Sequence, residues 1–290
     1  MTDSTSPAAP AVDPASNHCY RHPDRETYVK CQRCGRPICG QCQTLAPVGV
    51  HCPECVREAR GSAPSRPIGR RFVNAVRPGS TRPIATFTLI GICVVVFVVE
   101  MLTGLNPLTG GGQSPVEYDL AYFPHDIIHA PWTIITVNFV HESFLHILFN
   151  MYSLFVVGVP LERYLGRTRF LALFFVTGIG AVVGVDFFAN EPVVGASGAI
   201  FGLLGALVVF ARRMGIRTAQ LYIVIGLNLI IGYVVPGIAW QAHVGGLIVG
   251  VGLGFLLLRT AAIRRRVAQI AGVAGVAVVL LAALLANALA

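Results

Sequence analysis

The chain has 290 residues, of which 54% are hydrophobic and 12% charged, and its mean hydropathy is +0.66. A water-soluble domain of this size does not carry so large an apolar excess, so a membrane protein is expected. The net charge of +8 would suit nucleic acid, but most arginines sit in short stretches beside apolar segments, where retention of positive loops on the cytoplasmic side explains them better. Nucleic acid is therefore disfavoured as a partner.

Residues 1–17 lack a basic stretch followed by an apolar one, so no secretory signal is expected and this polar tail reads as disordered. A small domain over 18–56 follows, with the spacing Cys19-x2-His22, Cys31-x2-Cys34, Cys39-x2-Cys42 and Cys52-x2-Cys55. Thiolates and an imidazole at such spacing suit tetrahedral zinc, and a cytoplasmic setting disfavours disulfides. Two structural Zn2+ ions are expected, with all four positions on each filled by protein and none serving catalysis. So short a segment builds little apolar core, and metal would supply most of its folding energy.

The four pairs resemble a B-box zinc finger. The resemblance implies one site of Cys19, His22, Cys39 and Cys42 and another of Cys31, Cys34, Cys52 and Cys55, while His18 or His51 is placed to substitute for a neighbour. A cytoplasmic protein partner is the expected role of this head. Residues 57–82, rich in Pro, Arg, Gly and Ser, read as a linker whose arginines are placed to touch anionic lipid.

Seven apolar stretches of about the length needed to cross a bilayer follow, at 84–103, 143–161, 168–188, 197–211, 218–235, 240–258 and 267–289. The fourth is short and Gly-rich and needs neighbours to enclose it. Arginines flank these spans at 66, 70, 71, 77 and 82, at 163, 167 and 169, at 212, 213 and 217, and at 259, 264, 265 and 266. Alternate connections carry acids (Glu117, Asp119, Asp126, Glu142, Glu191) and neither Lys nor Arg. The amino terminus is thus expected in the cytoplasm and the carboxyl terminus outside a multi-pass protein, taken to lie in the cell membrane.

Strongly polar side chains within a span mark function or interior pairing. His146 and Asn150 lie in the second span, Ser197 opens the fourth (GASG), and His243 sits near the start of the sixth (AHVGG). Counting from the arginine that ends each span puts all four at a height of roughly 20–25 Å at 1.5 Å per residue. Small-xxx-small spacings (Gly198/Gly202 and Gly246/Gly250/Gly254) let the fourth and sixth spans approach closely. A serine within reach of an imidazole, beside two further donors, is an acyl-transfer constellation. Asn228 in the fifth span reads as structural pairing, Glu100 as reaching the interface, Cys93 as a small buried apolar group, and His125, His129 and His141 as surface or interfacial histidines.

HILFN, GASG and AHVGG, in this order along the chain, resemble the signatures of the rhomboid family of intramembrane serine proteases. The resemblance covers a six-helix core at 83–259, extends to Glu162 and Gly166 (LERYLG), and leaves 260–290 as a seventh helix. It implies an all-α polytopic membrane protein, a rhomboid-like bundle of seven transmembrane helices beside the zinc-stabilised head. It further implies a Ser197–His243 dyad, with the Ser197 N–H, Asn150 and His146 facing the oxyanion. The substrates would be transmembrane proteins, met within the lipid bilayer and cut near the outer face. One departure is Trp132-Thr133, where the family usually carries Trp-Arg. The alternative is a non-cleaving rhomboid-like protein that grips membrane helices and recruits partners through its head.

Overall fold

The computed structural model describes residues 17–46, 48–61, 82–110, 114–260 and 265–290. Residues 1–16 of the expected tail, 62–81 of the expected linker, and the flanking Arg66, Arg70, Arg71, Arg77 and Arg264 lie outside the described residues. The chain divides into two compact units, Met1–Arg66 and Pro67–Ala290.

The first unit has two short antiparallel pairs, β1 (His18–Cys19) with β2 (His22–Glu26) and β3 (Thr44–Leu45) with β4 (Val50–His51), then helix α1 (Pro53–Gly61). Its interior is made largely of sulfur. Among the described residues its buried apolar cluster is six cysteines and Ile38, so Ile38 is the one buried aliphatic side chain in this cluster. Gly35, at φ +75°, turns the chain after the Cys31–Cys34 pair and donates its N–H to the Cys31 carbonyl. That turn is one a side-chain-free residue adopts without strain.

The second unit is helical: α2 (Ile84–Leu102), α3 (Pro115–Leu120), α4 (Thr133–Thr136), α5 (Phe144–Leu165), α6 (Arg167–Phe188), α7 (Ser197–Arg213), α8 (Ala219–Val234), α9 (Trp240–Arg259) and α10 (Arg266–Ala288). The seven expected spans correspond to α2 and α5 to α10. Five of these, α2, α5, α6, α9 and α10, are long and apolar enough to cross a membrane, and α8 is a shorter apolar helix of 16 residues. With them the chain is an all-α polytopic membrane protein. Helix α5 runs four residues beyond its expected end, to Leu165, and stops where Gly166 takes φ +83°.

Helix α7, 17 residues long, is the centre of the bundle and is buried from Gly198 to Ala211. It packs on α5, α6, α8 and α9. Glycine makes the α7–α9 contact possible, because a β-carbon on Gly246 or Gly250 would overlap the carbonyl of Gly198 or Gly202. Gly245 meets the Gly180 carbonyl of α6 in the same way. In a bilayer, where lipid tails are as apolar as leucine, such close backbone packing is a principal source of helix association.

Helix α2 is tied to α5 by a buried carboxylate. Glu162 accepts hydrogen bonds from the Ala85 N–H at 2.9 Å, the Thr86 N–H at 2.7 Å and the Thr86 hydroxyl at 2.7 Å. The connection between α2 and α5 folds over the opposite end of the bundle, where Tyr122 and Val193 exchange two backbone hydrogen bonds.

Three expectations need correction. Glu100 does not reach an interface: it is fully buried, because the backbone of the α4–α5 connection covers it and the His141 N–H points at Oε2 from 3.4 Å. His141 is likewise no surface histidine, being completely buried with its ring edge-on to His146 at 5.2 Å. Asn228 donates to its own helix, at the Val224 carbonyl 2.8 Å away, and lines a cavity instead of pairing with another helix. Cys93 is buried, as expected of a small apolar group.

Candidate active site

Ser197 is the first residue of α7, and the turn before it is built around Gly195. That glycine takes φ +113°, and a β-carbon on it would lie 2.6 Å from His146 Nε2. Conformation and space therefore both demand glycine here. The Gly195 N–H is held by the Val137 carbonyl at 2.9 Å, which fixes the approach of the chain to Ser197.

His243 lies in the first turn of α9, and the glycine-mediated contact with α7 brings its Nε2 to 3.0 Å from Ser197 Oγ. This is the hydrogen-bond range in which an imidazole can take a hydroxyl proton. The ring is 7% exposed and stacks on Phe201, with centroids 4.2 Å apart and planes 5° from parallel. Phe201 stands one turn after Ser197, so a single helix carries both the hydroxyl and the platform that orients its partner. Among the described residues no acid hydrogen-bonds to His243, whose Nδ1 is buried without a partner.

His146 and Asn150 occupy successive turns of α5, whose first turn is capped by the Ser143 hydroxyl accepting the His146 N–H. Asn150 Nδ2 donates to the His146 carbonyl at 3.0 Å, and His146 Nδ1 lies 3.9 Å from Glu142 Oε1. Burial pushes the Glu142 carboxyl up from its ordinary value. Ser197, His243, His146, Asn150, Gly195 and Asn228 line one cavity of about 1420 Å³. The arrangement offers a hydroxyl beside an imidazole, two further polar side chains, and room for a peptide segment.

Trp132 and Thr133 lie at the start of α4. The indole is half exposed and donates to the Asp119 carbonyl at 2.8 Å, while Thr133 is buried and its hydroxyl donates to the Ala130 carbonyl at 2.6 Å. Thr133 thus ties the start of α4 to the loop before it. His125 and His129 remain near the surface, the latter 2.8 Å from Asp126 Oδ1.

In the first unit the eight candidate ligands form two quartets, Cys19, His22, Cys39, Cys42 and Cys31, Cys34, Cys52, Cys55, the ligand atoms of each lying within 4.8 Å of one another. Neither quartet includes His18 or His51. His22 Nδ1 stands 3.4 Å from the sulfurs of Cys39 and Cys42 and 3.8 Å from that of Cys19, and the Cys34 and Cys52 sulfurs are 3.7 Å apart. A tetrahedral metal with sulfur bonds of about 2.3 Å has ligand–ligand edges of about 3.8 Å, so the quartets fit such an ion. Burial, then the neighbouring Cys19 and Cys39 sulfurs, pushes the Cys42 thiol up to about 11. Burial also raises the Cys55 thiol. Thiols crowded in this way resist joint ionisation, and a divalent cation removes that cost.

Sequence reasoning missed two residues that shape the site. Phe201 was visible only as part of an apolar run, though its position four residues after Ser197 puts both on one helix face. Asp186, an acid inside an apolar stretch, is the kind of residue intramembrane cost should have flagged. It is buried and accepts from the Tyr122 hydroxyl at 2.6 Å.

The rhomboid domain family matches residues 129–260, from the loop before α4 to the end of α9. RHOMBOID-like protein 7 of Arabidopsis thaliana is 34% identical over 163 residues, covering 53% of this chain and 52% of that protein. Rhomboid protease GluP of Bacillus subtilis is 39% identical over 124 residues, 41% of this chain and 24% of that one. Putative rhomboid protease YdcA of the same organism is 34% identical over 137 residues, 44% of this chain and 68% of that one. The chain thus spans about half or less of the length of the first two and about two thirds of the third. That last coverage, together with a domain match enclosing the Ser197–His243 contact, places this chain in the rhomboid family.

Proposed function

We propose that this chain is an intramembrane serine endopeptidase that cuts transmembrane-helix substrates. The observation that carries the reading is the 3.0 Å contact between His243 Nε2 and Ser197 Oγ, inside a cavity shared with His146 and Asn150. Nε2 acts as an acceptor when the imidazole is neutral with its proton on Nδ1. As Ser197 Oγ bonds to the scissile carbonyl carbon, its proton passes to Nε2, and the carbonyl π electrons move onto oxygen. The Ser197 N–H, Asn150 and His146 are assigned to that oxyanion. His243 then returns the proton to the leaving amide nitrogen as the C–N bond breaks. Water repeats the sequence on the acyl-enzyme, releasing the acid and restoring Ser197.

The distribution of arginines supports an amino terminus in the cytoplasm and cleavage near the outer face. Substrate segments whose helix is weakened by Gly, Pro or polar residues would enter the cavity most readily, since cleavage needs an extended chain. The domains under this reading are the zinc head at 18–56, a linker at 57–82, the catalytic core at 83–259 and a further helix at 260–290. The thiolate-rich quartets favour zinc, which when bound would supply structural cross-linking and no catalysis. The head would dock a cytoplasmic protein.

Labelling of detergent-solubilised protein with a fluorophosphonate tests the reading without a known substrate. Wild type should label, and Ser197→Ala and His243→Ala should not. A folded wild type that does not label would move a non-cleaving helix-binding role to the front.

A further inference from the structure

The last helix, α10, packs mainly on α6 and more lightly on α9, and most of its length has little burial. Polar bonds clamp it near both ends. Near its start, buried Gln269 accepts from Arg169 Nε at 2.7 Å and donates to the Thr260 hydroxyl at 3.2 Å. Near its end, Asn287 Nδ2 donates to Asp186 Oδ2 at 2.9 Å and to the Asp186 carbonyl at 3.2 Å, and lies 3.3 Å from His125 Nδ1.

Asp186 joins this contact to the site. Its other oxygen, Oδ1, accepts from the Tyr122 hydroxyl at 2.6 Å and the His125 N–H at 2.8 Å, so one buried carboxylate holds α10 and the loop after α3 together. In that loop His125 takes φ +65°, an uncommon conformation for a side-chain-bearing residue. Tyr122 in turn pairs through two backbone hydrogen bonds with Val193, two residues before Gly195 and four before Ser197. Apolar packing follows the same route: Leu284 of α10, fully buried, lies in one cluster with Tyr122, Ile127, Ile134 and Val137, and Val137 carries the carbonyl that anchors Gly195.

We propose that Asn287 is a positioning residue for the active site, acting through Asp186, Tyr122 and Val193 to hold the 189–196 segment that delivers Ser197. The inference rests on Ser197 being the nucleophile. The seventh helix is then a latch on the rim of the catalytic cavity, although it contributes no side chain to the cavity itself.

A charge swap tests this. Asn287→Asp sets a second carboxylate against Asp186 and should open the latch. Adding Asp186→Asn restores a donor–acceptor pair, because the amide introduced at position 186 donates to the carboxylate introduced at position 287 while its oxygen still accepts from Tyr122 and His125. We expect Asn287→Asp to slow fluorophosphonate labelling of Ser197 by about tenfold, the worth of one hydrogen bond to a charged group, and the double variant to recover most of the rate. Hydrogen–deuterium exchange should rise at 118–127 and 189–196 in the single variant, with α7 and α9 unchanged, and return in the double. A wild type that never labels would sink the proposed activity, and exchange would still decide the latch. Unchanged exchange at both segments, a rise spread over the whole bundle, normal labelling in Asn287→Asp, or no recovery in the double variant would each overturn it.

Discussion

The Gly246 Cα lies directly against the Gly198 carbonyl, so that a β-carbon on it would overlap the oxygen. This backbone contact, one residue from Ser197 and three from His243, sets the separation of the two side chains. Gly246→Ala should therefore nearly abolish fluorophosphonate labelling and destabilise the protein by about 1–3 kcal/mol, the usual cost of overpacking. Gly252 of the same helix faces open space. Gly252→Ala is the control, and both its melting temperature in detergent and its labelling should match wild type.

Phe201 fixes the imidazole plane by stacking on it. Aromatic pairs of this kind contribute about 0.5–1.5 kcal/mol beyond the area they bury. Phe201→Leu keeps most of the volume and loses the stack, so the labelling rate should fall by a factor between about two and ten. A full rate in Phe201→Leu would show that the stack does not orient His243.

Asn150 is assigned to the oxyanion, where loss of one donor typically costs about 10²–10³ in rate. With a cleavable transmembrane substrate, Asn150→Ala should lower kcat by that factor and leave KM nearly unchanged, since the interaction strengthens only as the oxyanion forms. A rise in KM with kcat intact would assign Asn150 to substrate binding instead.

Burial, then proximity to His146, lowers the His141 imidazole to about 3 from its ordinary 6.5. The folded protein therefore refuses a proton that the unfolded chain accepts. The resulting stability is complete above the unfolded value and is lost as pH falls from about 6.5 toward 3, with a slope of up to about 1.4 kcal/mol per pH unit. Thermal melts across this range should show the decline, and His141→Phe should flatten it.

Metal analysis of purified protein should find two zinc ions per chain. Ligand thiols must lose their protons to bind, so zinc should be retained at pH 7 and released as pH drops. Cys42→Ser should remove one ion. Chelation should leave Ser197 labelling unchanged, because the second unit contains the whole candidate site.

Much of this was legible in the order of residues. Span ends agree with the helices to within a few residues, because an apolar run long enough to cross a bilayer has few foldable alternatives. Ser197, His243, His146 and Asn150 stood out because polar groups are costly in apolar helices, and counting along helices of alternating direction brought them to one level. Glu100 and His141 were misplaced because loops covering a helix end leave no periodic signal. Asp186 and Asn287 went unread because each gains meaning only from the other, 101 residues away.

Residue order by itself determined the membrane class, the helices, the paired cysteines, and the four polar side chains that meet in one cavity. Tertiary structure alone decided that glycine faces on α6, α7 and α9 bring backbones into contact, that Phe201 stacks on His243, and that a carboxylate on α6 ties the last helix to Tyr122 and His125. Composition and spacing act within one element, where hydropathy and helical period govern. These distances depend on how closely separate elements approach, and that is set by packing between residues far apart in the chain.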